Sequence, residues 1–126
     1  MNILIWVLQV LLALAFFAHG WMFLFPPAAI AAQMNASLPR WFTLFLGVAE
    51  ILAAFGLIIP GVTRIMPWLV PAAAVGIMMV LGSATVYHFI RNEISSGFIT
   101  LVMLVLATAV AYYRWKVLPI RPRSMA

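Results

Sequence analysis

One carboxylate lies inside an apolar run long enough to cross a bilayer. Glu50 sits within Gly47-Val-Ala-Glu50-Ile-Leu-Ala-Ala-Phe-Gly56-Leu-Ile-Ile-Pro60. By helical rise it is about 13 Å below the boundary marked by Trp41. A charged side chain at that depth costs about 2.5–3.5 kcal/mol on insertion scales, and such groups mark functional sites by default. Two arrangements relieve the cost. The carboxyl is protonated, because a low dielectric disfavours the charged form, or it faces a partner inside a bundle. The competing reading is a neutral acid that bonds one neighbour and ties helices together.

His19 is the partner that the spacing offers. It lies six residues before Phe25, about 9 Å below the same boundary. The first two long runs cross the bilayer in opposite directions, so the two groups reach similar depths. A Glu50–His19 pair would orient a ligand by hydrogen bonding or relay a proton. Without Glu50 opposite, His19 reads as an ordinary interior histidine. His88, with Tyr87 beside it and Ser83 one turn below, forms a second polar group near the boundary. These residues would line the mouth of a pocket, or form a wet interfacial pair. Phe16, Phe17, Trp21, Met22, Phe23, Met78 and Met79 would wall a cavity for a flat apolar ligand such as a quinone. The alternative for them is packing and lipid contact. Haem ligation by His19 and His88 gains no support, since their depths are about 9 and 4 Å. Thr43, Thr85, Thr100 and Thr108 satisfy their hydroxyls within their own helices. No metal-spaced cluster, phosphate-binding glycine loop or hydrolase elbow is present.

The elements that must position these groups follow from composition. Of 126 residues, 67% are hydrophobic and 7% charged, against about 25% charged in soluble domains. Lipid must therefore solvate most of the chain. The formal net charge is +5, but the cations stand at the ends of apolar runs, where snorkelling and topology account for them without nucleic acid. The chain has no cysteine, which excludes thiol–disulfide chemistry and thiolate metal sites.

The reading is an all-α, integral membrane, four-helix antiparallel bundle forming one domain over residues 1–126. Helices are expected at about 3–25, 41–59, 67–90 and 97–115, with a short basic tail at 116–126. Ala13-Leu14-Ala15 resembles a signal-peptide cleavage site, but the run lacks a basic leader and continues well past it. Pro26-Pro27 ends the first helix. Residues 28–40 form a long connection with a short interfacial helix, and Pro60-Gly61 is expected to close the second run as a turn. Pro71 falls in the first turns of the third run, where proline is tolerated. Arg114 and Lys116, beside Tyr112, Tyr113 and Trp115, are expected to anchor the last helix at the surface. The positive-inside rule places both termini in the cytoplasm of a bacterial inner membrane. Small residues at helix-packing spacing, including Gly47 and Ala54, Ala72 and Gly76, and Ala107 and Ala111, suit close backbone approach in lipid.

The Glu50 run, with Phe17-Ala-His19-Gly20 before a proline pair and Tyr87-His88 near the end of the third run, resembles the DoxX and DoxX-like membrane proteins over roughly residues 8–115. The resemblance implies a four-helix membrane fold, marks Glu50 as a family position and makes a quinone-like ligand more plausible. Some relatives are named for a subunit of a thiosulfate:quinone oxidoreductase. Others act with redox enzymes in oxidative-stress defence, or assist membrane-protein assembly. The expected function is thus a membrane protein that binds a small apolar, quinone-like ligand as a subunit of, or accessory to, a redox system. The alternative is a chaperone or scaffold that packs against a partner membrane protein. A proton path fits less well, because the half of the bundle remote from Glu50 and His19 shows no relay. Whether the chain is an enzyme does not follow from its residues. Its partners would be the bilayer, a membrane or redox protein and further copies of itself.

Overall fold

The structure, a computed structural model, describes residues 1–124. The last two residues of the basic tail, 125 and 126, lie outside the described residues. Five α-helices follow one another: α1 Asn2–Leu24, α2 Ala28–Ser37, α3 Arg40–Thr63, α4 Leu69–Ile90 and α5 Ile94–Tyr112. The last widens into a π-helical turn, Tyr113–Val117. Four of these segments are long and apolar enough to span a membrane: α1, α3, α4, and α5 with its π turn. The chain is an all-α membrane bundle.

Prolines set the boundaries at one end. Phe25, before Pro26-Pro27, leaves the helical region and its amide still bonds the Trp21 carbonyl. Leu38, before Pro39, is extended and ends α2, as the steric demand of a following proline requires. Pro39 then starts α3, its carbonyl accepting from Phe42 and Thr43. Pro71 lies in the first turn of α4, where proline is tolerated. Helix α2 has no buried residue.

The turn expected at Pro60-Gly61 is absent. Helix α3 continues through both residues to Thr63, and Arg64 ends it in a left-handed conformation (φ 60°). Both residues are buried inside the bundle, where neighbouring elements support a helix that lacks one amide. Gly61 serves packing instead: a Cβ there would lie 2.7 Å from the Trp6 ring and 3.0 Å from Ile120. Helix α5 also begins three residues earlier than expected. The Gly97 amide bonds the Glu93 carbonyl, so the chain between α4 and α5 shrinks to a turn around Asn92, which takes φ 58°.

Helices α1 and α3 form one antiparallel pair, and α4 and α5 the other. The pairs join through α3–α4 and, less extensively, α1–α5. Buried positions on α3 run Thr43, Gly47, Glu50, Ala54, Leu57 and Gly61, alternating steps of four and three. Ile5, Gln9, Leu12, Phe16 and Gly20 supply the opposing seam of α1. That spacing is the period of shallow left-handed helix crossing. In lipid, apolar side chains gain no solvent-driven burial between helices, so backbone approach and van der Waals contact must hold them. Gly20 and Gly47 provide that approach. A Cβ at Gly20 would lie 2.8 Å from the Gly47 carbonyl oxygen, and one at Gly47 2.9 Å from the Gly20 oxygen. Leu14, Phe45, Leu52, Met79, Val86 and Val105 stay exposed on the outer faces, where a bilayer solvates them.

Because these clashes are with backbone, Gly47→Ala should destabilise the bundle by about 1–2 kcal/mol, the overpacking cost exceeding the helix-propensity gain. Gly76→Ala is the contrast, since a Cβ there meets nothing within 4 Å, and it should be neutral or stabilising. Reversible denaturation of both variants in one detergent checks the difference.

Candidate functional site

The glycine contact positions the carboxylate. Gly20 follows His19, and Gly47 is one helical turn before Glu50, so the close crossing brings both side chains to the same level. His19 Nδ1 and Glu50 Oε2 are 2.7 Å apart, and one proton joins them. Glu50 is buried (2% exposed), whereas the His19 side chain is 48% exposed. Above them Arg40 secures the pair: its guanidinium donates to the Phe23 and Leu24 carbonyls at 2.7 and 2.8 Å. A cation on the last carbonyls of α1 also opposes the helix dipole.

Glu50 Oε1 makes no hydrogen bond among the described residues. Beside Glu50 is a partly open crevice of about 90 Å³, lined by Phe16 on α1, Ala49 and Ala53 on α3, and Gly76, Ile77 and Val80 on α4. The walls are apolar, and Glu50 is the one ionisable group among the lining residues. One residue thus bonds an imidazole and lines an apolar crevice. That geometry suits holding a polar edge of an apolar molecule, or passing a proton between the crevice and His19.

The other residues singled out by spacing divide. Phe16 is in the crevice wall. Trp21 is exposed and stacks with Phe17 and Phe25 on the outside of α1. Met79 also points outward. Ser83 is exposed and bonds only the Met79 carbonyl of its own helix. His88 joins neither His19 nor Glu50: its Nδ1 lies 2.6 Å from Glu93 Oε2, while Arg91 Nε donates to the other oxygen at 3.2 Å and stacks over Tyr87. This cluster closes the α4–α5 turn. Thr85 bonds both the Leu81 carbonyl and Thr100, adding a polar link between α4 and α5.

A second buried polar cluster lies at the opposite end of the bundle, where sequence spacing suggested none. Gln9 is fully buried, and its Nε2 donates to the Leu57 carbonyl of α3 at 2.7 Å. Arg114, expected as a surface anchor, is instead 3% exposed. Its Nε donates to Gln9 Oε1, and its Nη1 donates to Asn2 Oδ1 at 2.7 Å and to the Leu118 carbonyl at 3.1 Å. The guanidinium carbon lies 5.1 Å from the Trp6 ring centre. The reversal follows helical spacing: Arg114 comes seven, four and three residues after Ala107, Val110 and Ala111, the buried face of α5. A signal was present in Gln9, a lone amide seven residues after Asn2 on the α1 seam.

With the geometry in place, the chain's relations can be stated. The model of the DoxX-like family matches residues 7–110, most of the chain and all four spanning segments in whole or part. The chain belongs to the DoxX-like family. No curated protein and no solved structure matches it.

The turn cluster makes a pH prediction. His88 first, then Arg91, hold the Glu93 carboxyl below its ordinary value of 4.5. A carboxyl whose folded value is depressed contributes stability above its unfolded value, and that contribution is lost as pH falls through the folded one. Amide exchange at Glu93 and Gly97 should therefore accelerate on acidifying below about 4.5, the ordinary carboxyl range. In Glu93→Gln the same amides should exchange fast already at neutral pH, with no acid step.

Proposed function

We propose that this DoxX-like protein holds the polar head of a small lipid-soluble ligand of quinone type against Glu50, as a subunit of or accessory to a membrane redox system. The observation that carries this is that Glu50, with one carboxylate oxygen already engaged by His19, lines an apolar crevice. Its second oxygen has no hydrogen-bond partner among the described residues, so a donor or acceptor arriving in the crevice can engage this carboxyl. A quinone carbonyl accepts a hydrogen bond, and a protonated Glu50 donates one. Ligand pockets for whole small molecules are about 300–1,000 Å³. The crevice of about 90 Å³ takes one ring edge, with the rest of the molecule lying between helices. Helices α1 and α4 scarcely touch, so spreading them costs little packing. His19, half exposed, connects Glu50 to the bundle surface and supplies or removes the proton. This chain's part is binding, orientation and proton transfer.

Two substitutions test the site from opposite sides. Glu50→Gln removes the titratable proton and keeps the shape. Gly76→Leu leaves Glu50 and His19 in place and fills the crevice, for which the open space at Gly76 leaves room. Native mass spectrometry of gently extracted protein, with lipid extraction in parallel, should show a stoichiometric small molecule in the native chain. Both variants should lose it while retaining a cooperative thermal transition. Retention of the molecule by both variants would remove Glu50 from the function. A bare chain mass together with a co-purifying membrane protein would favour the scaffold role, with Glu50–His19 as internal glue.

A further inference from the structure

The Arg114 cluster is not used by the site at Glu50. Its partners are Asn2, Gln9 and a backbone carbonyl, all neutral. Arg114 Nη2 is the one buried side-chain nitrogen or oxygen among the described residues without a hydrogen bond. Guanidinium stays protonated in proteins, and a buried cation without an anion is among the costlier arrangements in a fold. The anion does not come from the described residues. The chain has two acidic residues: Glu50 bonds His19, and Glu93 bonds His88 and Arg91, all towards the other end of the bundle.

The surroundings indicate what supplies it. Arg64, Lys116, Arg121 and Arg123 are exposed at the same end as Arg114. Arg64 holds the segment after the π turn in place, donating to the Arg121 and Pro122 carbonyls and accepting from the Arg123 amide. Arg114 is twenty residues from the start of α5, about 30 Å along the helix, which is the thickness of the hydrocarbon core. It therefore stands at the level where phospholipid phosphates begin. Trp6, whose ring packs on the Arg114 guanidinium, also lines an apolar groove of about 320 Å³ on the outer face of α1, with Ile3, Val7, Val10 and Leu11. One indole thus touches both the buried cation with a spare donor and the outward-facing groove.

We infer that this end of the bundle is a specific site for an anionic phospholipid. The phosphate is taken by Arg114 Nη2 after Trp6 turns aside, and an acyl chain lies in the groove along Ile3, Val7 and Leu11. The exposed cations raise the local concentration of anionic lipid, at about fivefold per cation near the surface. Arg114 adds the directional contact that distinguishes a bound lipid from a diffuse atmosphere.

The test uses the full chain in nanodiscs of mixed phosphatidylglycerol and phosphatidylcholine. Native mass spectrometry should show one retained phosphatidylglycerol, and Arg114→Gln should lower its retention at least about tenfold, more than one surface cation is worth. The single variant Arg121→Gln, at an exposed position, should lower it by no more than about fivefold. Equal loss in both would reduce the effect to general charge and overturn the site. Because Arg114→Gln disturbs a buried network, a second measurement leaves Arg114 intact. With Trp21, Trp41, Trp68 and Trp115 replaced by Phe, Trp6 fluorescence should be quenched more by phosphatidylglycerol brominated on its acyl chain than by brominated phosphatidylcholine. Equal quenching by the two lipids would overturn the proposal. So would displacement of the lipid by millimolar inorganic phosphate, which would make the site one for a free anion.

Discussion

The contact between the Gly20 and Gly47 backbones is the constraint on which the half of this bundle around Glu50 depends. Each glycine places its missing Cβ within 3 Å of the other's carbonyl oxygen, so no larger residue fits at either position without moving a helix. Lipid gives apolar helices little reason to prefer one another over acyl chains. Close approach must therefore supply contact energy atom by atom. The same approach brings a histidine and a carboxyl on opposed helices within one proton's reach. Arg40, bonded to the last carbonyls of α1, fixes the two ends in register above the pair. Packing and chemistry at Glu50 are thus one feature: the glycines that join α1 to α3 also set the His19–Glu50 distance.

Along this seam polarity is distributed unevenly. Glu50 and His19 occupy one level, and Gln9 with Arg114 another. Leu12, Phe16, Ala54 and Leu57 fill the space between them. No polar side chain among the described residues bridges that gap, so the two clusters are separate devices on a shared spine. Their satisfaction also differs. At Glu50 the carboxyl already lines a crevice, so a ring edge can reach it with only α1 and α4 parting. At Arg114 the unpartnered nitrogen is covered, and a neighbouring side chain must move first.

Much of this was legible in the sequence because lipid simplifies the problem. Four apolar runs can do little but cross, and Pro26-Pro27 and Pro39 mark real ends. The glycine before Glu50 and the glycine after His19 stood at the spacing that packing uses. The failures share one cause: a residue's usual role was assigned without its neighbours. Pro60-Gly61 reads as a turn in water, yet Trp6 and Ile120 press on Gly61 and need its small size inside a helix. Arg114 reads as a surface anchor because most arginines near the end of a spanning run are. Its spacing from Ala107, Val110 and Ala111, of seven, four and three residues, puts it on the buried face of α5 instead. His88 had two readings, the mouth of a pocket or a wet interfacial pair, and its partner is Glu93, five residues ahead in the α4–α5 turn.

The partition of charge decides how the two ends relate to the membrane. Both carboxylates sit with Arg40, Arg91 and the histidines, so that end is internally neutralised. Arg64, Arg114, Lys116, Arg121 and Arg123 gather at the other, with no described carboxylate to balance them. Four of these are exposed and hydrated, and ions in solution offset them at little cost. Arg114 is different, because burial withdraws it from water while its neutral partners take up only part of its donor capacity. A protein free to place a leucine there would have built a tighter end to α5, since a well-packed apolar residue is usually the more stable choice. Keeping a guanidinium at the level of lipid phosphates, with one donor unspent, makes the bilayer surface part of the fold's electrostatic balance.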